Sequence, residues 1–160
     1  MYSPVTSLFD TNPIDPFFLE MAHILVPTST GEMNIFAQIA ASAWFAEMNN
    51  AFDIMRNATH FEIAQQIIDE EREAFIEYVR RSAEVEVLLW ASNAFSEPIE
   101  GEELFSGTIR GVIYLGYLRE KWREKTEALF HRFDISEFVF CEEQYYEELR
   151  AQLGHLFPLQ

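Results

Sequence analysis

Cysteine is almost missing from this chain of 160 residues, since Cys141 is the only one. A single thiol cannot form an intramolecular disulfide, and it cannot build a metal site that needs several thiolates. We therefore expect Cys141 to behave as a small, buried, apolar side chain.

Long apolar runs are also missing. The longest, Ile39–Phe45 and Val112–Leu118, fall far short of the roughly 20 residues that a membrane-spanning helix needs. The first residues, Met1-Tyr2-Ser3-Pro4, lack the basic start and apolar stretch of a signal peptide. We expect a cytoplasmic protein with no membrane partner.

Basic residues are scarce, with 11 Lys and Arg against 27 Asp and Glu, and the formal net charge is −16. Like charges repel, so this balance argues against direct binding to nucleic acid or to anionic membranes. It favours a basic partner, or simply high solubility. Hydrophobic residues make up 49% of the chain, which is enough to build the core of one domain.

Helix signals cover most of the chain. Asp15-Pro16 is typical of a helix start, because Asp caps and Pro fits the first helical position. Capping boxes at 29–32, 59–62 and 134–137 predict three further starts. With a long helix over about 100–132, we predict an all-α, single-domain bundle or orthogonal array of about five helices over residues 15–160, after an irregular lead-in at 1–14.

The helix that follows Thr59 carries apolar residues at three- and four-residue spacing. They are predicted to face the core: Phe61, Ala64, Ile68, Phe75, Tyr78, Val85 and Leu89. The opposite, solvated side would carry the acidic residues, and a break near Ser82 is an alternative. In the next long helix, Gly107 and Gly111 share one face, which favours close approach of a neighbouring helix.

Motifs for catalysis and cofactor binding are missing. Glu20 and His23 have the Glu-x-x-His spacing of di-iron bundles, but no second such pair exists. The glycine-rich phosphate loops and the Gly-x-Ser-x-Gly elbow are absent as well. We therefore predict no metal, no cofactor, no catalytic residues and no enzymatic activity, with a helical-bundle metal or cofactor protein as an alternative.

Acidic residues occur in clusters. Pairs such as Glu73 and Glu77, one helical turn apart, repel each other by a few tenths of a kcal/mol. A chain that keeps such pairs despite this cost can use their negative electrostatic field to bind a partner. The predicted partner-binding residues are Asp69, Glu70, Glu73, Glu77, Glu142, Glu143, Glu147 and Glu148. A generic solvating surface is the alternative interpretation.

Residues 103–113, Glu-Leu-Phe-Ser-Gly-Thr-Ile-Arg-Gly-Val-Ile, loosely resemble the first homology region of the Bcl family of apoptosis regulators. Residues 114–122, Tyr-Leu-Gly-Tyr-Leu-Arg-Glu-Lys-Trp, resemble the matching helix of the adenoviral small apoptosis suppressor. Arg110 stands where the family has Trp, and neither a second homology region nor a C-terminal anchor follows. The resemblance implies a buried central helix and an alternative function as a Bcl-like apoptosis regulator.

The leading hypothesis is a non-enzymatic acidic protein-binding module. It would act as an inhibitor or antagonist, of the viral or phage counter-defence or toxin-neutralising type. Its partner would present a basic surface, as nucleic-acid-binding proteins do. A structural or assembly protein that forms a helical homodimer is the main alternative.

Overall fold

Five α-helices form the fold in the computed structural model, which describes residues 12–25, 29–91, 95–97, 100, 110–132, 140–141 and 143–156. The helices are α1 (Ile14–Leu25), α2 (Thr30–Ala58), α3 (Glu62–Trp90), α4 (Arg110–Arg132) and α5 (Glu143–Leu156). These ranges contain no strand. The predicted all-α class is therefore confirmed.

The helix starts partly follow the predictions. Asn12, and not Asp15, caps α1, because its side-chain oxygen accepts hydrogen bonds from the backbone N–H groups of Ile14 and Asp15 at 3.1 and 2.9 Å. The capping box of α2 is confirmed: the Ser29 hydroxyl accepts from the Glu32 N–H at 3.1 Å, and the Glu32 carboxylate accepts from the Ser29 N–H at 3.2 Å.

The capping box predicted at residues 59–62 is not present in the structure. Thr59 accepts a hydrogen bond from the Phe61 N–H at 3.3 Å, and α3 begins only at Glu62 without a side-chain cap. The helix then runs through Ser82 without a break. The third capping box, at 134–137, lies outside the described residues, as do 101–109 at the predicted start of the long fourth helix.

Helix α2 lies at the centre of the bundle. It packs along α4 over most of its length, α3 packs on both of them, and α1 contacts α2 and α5. At Gly111 a Cβ atom would collide with the Asn34 side chain of α2, so glycine permits the close approach that the sequence predicted there. Gly107 lies outside the described residues.

A single hydrophobic core receives side chains from all five helices. Its largest members, Trp44 and Trp122, are fully or almost fully buried. Phe45 and Phe75 place their rings edge-on to Trp122, with centroids 5.2 and 5.9 Å away. These contacts join α2, α3 and α4 around one indole.

Replacing Trp122 should therefore be costly. We expect Trp122→Ala to lower the free energy of unfolding by about 3–5 kcal/mol, the usual loss for a buried aromatic residue cut back to alanine. Trp90→Ala is the matched control: Trp90 is 68% exposed, and its loss should stay within about 0.5 kcal/mol. Guanidinium chloride unfolding followed by circular dichroism measures both. Equal losses in the two variants would contradict this account of the core.

Candidate protein-binding surface

Three of the predicted acidic residues lie together on α3. Asp69, Glu70 and Glu73 line one shallow pocket of about 310 Å³, which Glu62 and Arg56 also line. Glu70 and Glu73 are exposed. This part of the predicted surface is therefore assembled by the fold.

Asp69 has a different role from the one predicted. Both of its carboxylate oxygens accept from the Arg56 side chain of α2, at 3.1 and 3.0 Å. Arg72 lies 4.0 Å from the same carboxylate. Because its charge is already paired, Asp69 links α2 to α3 and contributes little to an outward field.

Glu77 is exposed but partly neutralised, since Arg81 donates to its carboxylate at 3.0 Å. This hydrogen bond, more than the charge of Glu84 nearby, raises the pKa of the Arg81 guanidinium. Glu70 accepts only a neutral amide hydrogen bond, from Gln66 at 2.9 Å. Glu70 and Glu73 therefore keep the most available charge on α3.

The acidic residues near the C-terminal helix form a separate group. Glu147 and Glu148 are exposed on α5, and Gln144 donates to Glu148 at 3.2 Å. Glu142 and the side chain of Glu143 lie outside the described part of the chain. The two predicted groups therefore lie on different helices: α3, which packs on α2 and α4, and α5, which contacts α1.

The inward-facing stripe predicted on α3 is mostly wrong. Ile68 and Phe75 pack against the core, but four of the predicted residues are exposed: Phe61, Tyr78, Val85 and Leu89. The fully buried positions of α3 are instead Val79, Ala83 and Val87. The sequence pattern failed here because α3 carries apolar residues on two opposite sides, and spacing does not tell which side meets α2 and α4.

The outer side of α3 carries an apolar stripe that the sequence reading missed. Five large side chains, each between 53% and 67% exposed, form it: Ile63, Ile67, Tyr78, Val85 and Leu89. At about 100° per residue they fall within an arc of about 80°. Their signal in the sequence is an apolar pair four residues apart that recurs after 11 residues.

A row of carboxylates borders this stripe on one side. We call this row the acidic flank; its members, all exposed, are Glu62, Glu70, Glu73, Glu77 and Glu84. At the same angular increment they occupy about 80° next to the stripe, an arc that also contains the exposed Arg80. Across the stripe, Glu71 is held by Lys125 at 2.6 Å, so the acidic charge is concentrated on one border.

Five of the 11 basic side chains form ion pairs that join different helices. The ion pairs between different helices are Arg56–Asp69, Arg72–Asp53, Arg123–Asp15, Lys125–Glu71 and Arg150–Glu20. The Lys125 ammonium also lies 4.7 Å from the centre of the Phe75 ring. Pairing between helices therefore leaves the outer side of α3 with an excess of acid.

A buried carboxylate forms the second candidate site. Glu47 of α2 is fully buried. One of its oxygens accepts from the Tyr146 hydroxyl at 2.5 Å and from the Cys141 N–H at 2.8 Å. The Asn50 amide donates to the other oxygen at 3.5 Å. Three donors thus satisfy the carboxylate, and the arrangement anchors α5 to α2.

The thiol beside this carboxylate is poorly suited to nucleophilic chemistry. Burial, and secondly the charge of Glu47, raise the pKa of Cys141 to about 12. Burial likewise raises the pKa of Tyr145 to about 12. At neutral pH both groups stay protonated, whereas a cysteine nucleophile acts as the thiolate.

Glu20 and His23, the pair with the Glu-x-x-His spacing, do not face a common site. Glu20 accepts from Arg150 at 3.3 Å, and His23 is exposed. Within the described residues, no group of three or more His, Cys, Asp or Glu side chains could hold a metal ion. No helix among them combines the length and apolar character needed to cross a membrane.

Neither protein-family models nor curated proteins nor solved structures match the chain. The Bcl-like resemblance therefore stays a prediction. Residues 103–109 of its first part lie outside the described residues, and residues 110–122 form the first half of α4, where Trp122 is buried.

The Glu47 anchor makes a prediction for stability. Tyr146→Phe removes a donor from a buried carboxylate, which should cost about 1–3 kcal/mol of unfolding free energy. Tyr145→Phe is the control, because the Tyr145 hydroxyl has no hydrogen bond to any described residue, and its effect should stay below about 0.5 kcal/mol. Urea unfolding of the three proteins measures the difference; similar midpoints for both variants would refute the anchor.

The raised pKa of Cys141 makes a prediction for reactivity. An unfolded cysteine has a pKa near 8.5, so at pH 8.5 the folded protein should react with iodoacetamide about a hundredfold more slowly than the unfolded chain. Mass spectrometry of the alkylated protein gives both rates. A folded-state rate within about threefold of the unfolded one would show that the thiol is accessible and of ordinary acidity.

Proposed function

We propose that this chain is a non-enzymatic acidic protein-binding module that engages a basic surface of a partner protein through the outer side of α3. The observation that carries the proposal is the coincidence of two features on one helix side. The apolar stripe and the acidic flank lie next to each other, and no described helix packs over them.

The apolar stripe supplies an energetic reason for binding. Its five side chains together expose on the order of 500 Å², about as much as the largest apolar patch of a typical monomer. Removing such an area from water favours association at about 25 cal/mol per Å² before the costs of binding are subtracted. A purely solvating surface would not carry this stripe.

The acidic flank supplies selectivity. Charges at the rim of an interface steer encounters and reject partners of the same sign more than they add affinity. A partner with a basic surface would be attracted, whereas nucleic acid would be repelled. By covering a surface that normally accepts a polyanion, the chain would act as an antagonist of its partner.

The test uses a random peptide library displayed on phage and selected on the immobilised full-length chain. We expect the selected peptides to be rich in Lys and Arg. Their affinity should fall at least about tenfold, or about 1.4 kcal/mol, for the triple variant E70K/E73K/E77K. Association rates should also fall as salt rises, because ions screen charges beyond about 10 Å at 0.1 M.

A matched control separates local from overall charge. The variant E97K/E100K/E120K changes the net charge by the same amount at exposed positions outside the acidic flank, and it should bind the selected peptides as the parent does. E147K/E148K tests the α5 group and should also bind normally. If the α3 triple variant binds as well as the parent at low salt, the proposed function is wrong.

A further inference from the structure

The apolar stripe of α3 has a regular, linear form. Pairs of apolar residues four apart recur every 11 residues: Ile63 with Ile67, Ala74 with Tyr78, and Val85 with Leu89. All six are exposed. Since 11 residues make almost three whole turns, the pairs shift by only about 20° each time. The stripe therefore runs nearly parallel to the helix axis for about 39 Å.

We infer that the occupant of this stripe is an amphipathic helix of the partner, which lies along α3 with its apolar side in the stripe and Lys or Arg residues against the acidic flank. This inference rests on the proposed function and names the partner's binding element. A stripe about 80° wide and seven turns long matches the apolar side of another helix. A compact globular surface would cover only part of it.

The charges bordering the stripe indicate where the partner helix carries its basic residues. Each apolar pair begins directly after a carboxylate of the acidic flank, at Glu62, Glu73 and Glu84. Glu70 lies between the first two pairs and Glu77 within the second pair, whereas Arg80 and Arg81 lie between the last two, where Arg81 is held by Glu77 and Glu84. The partner's basic residues should therefore concentrate over residues 62–77.

A second copy of this chain fits the stripe poorly. If two α3 helices pair antiparallel about a twofold axis, both acidic flanks fall on the same side of the contact and repel each other. If they pair in parallel, each flank meets the opposite border, where Glu71 and Ser82 offer no free base. Two chains of charge −16 also repel as wholes.

The test uses three synthetic helical peptides of about 26 residues, long enough to follow the stripe. The first has leucine pairs four apart, repeated every 11 residues, with lysines on one border. The second has glutamates in place of the lysines. The third has the composition of the first in an order that removes the apolar side. Fluorescence anisotropy with the full-length chain measures affinity, and circular dichroism measures peptide helicity.

We expect the first peptide to bind and to gain helicity, and the other two to bind at least about tenfold more weakly. The stripe variant Tyr78→Ser with Val85→Ser should weaken the first peptide by a similar factor. The matched control is Leu19→Ser with Ile24→Ser, which removes two exposed apolar side chains from α1 and should leave binding unchanged. Thermal unfolding confirms that both variants fold.

The outcomes separate this inference from the proposed function. If E70K/E73K/E77K weakens binding of the library-selected basic peptides but the stripe variant does not, the acidic module stands and the helical partner is wrong. Equal binding of the first and third peptides would overturn the inference in the same way. Sedimentation that shows a dimer of the parent but a monomer of the stripe variant would assign the stripe to a second copy and overturn it too.

Discussion

The packing of α4 along α2 is the constraint on which the other helices depend. Gly111 leaves room for the Asn34 side chain of α2 at one end, and the buried indole of Trp122 packs against Phe45 of α2 and Phe75 of α3 further along. Helix α3 then lies on both, and it buries Val79, Ala83 and Val87. Only one side of α3 can pack against α2 and α4. The opposite side, which carries the apolar stripe and the acidic flank, is therefore exposed to solvent.

Charge is divided between the inside and the outside of the bundle by this arrangement. Five of the 11 basic residues form ion pairs where two helices meet, as in the pairs of Arg56 with Asp69 and Lys125 with Glu71. Such partly exposed pairs add little stability one by one, but they fix which acids are neutralised. Glu62, Glu70 and Glu73, which form no ion pair with a described base, lie along one border of α3, beside apolar side chains that water hydrates poorly.

The buried Glu47 carboxylate shows that not every acidic residue of this protein contributes to the negative electrostatic field at its surface. It holds Tyr146 and the backbone before α5, so its charge is used to attach the last helix. Its neighbour Cys141 is kept protonated by the same surroundings. The contacts of Glu47 are thus structural within the bundle, whereas the outer side of α3 exposes apolar and acidic side chains.

The sequence alone determined the helical class, the Ser29 capping box and the close approach at Gly111, because these depend on local hydrogen bonding and on the missing Cβ. It also identified Glu70 and Glu73 as exposed acids. It could not place Asp69, whose partner Arg56 lies on another helix, nor pair Glu47 with Tyr146, 99 residues away. Periodicity predicted one apolar side of α3, but the helix carries apolar residues on two sides. Only the tertiary structure decided which side is buried, because that choice depends on the shape of the groove that α2 and α4 present and not on α3 itself.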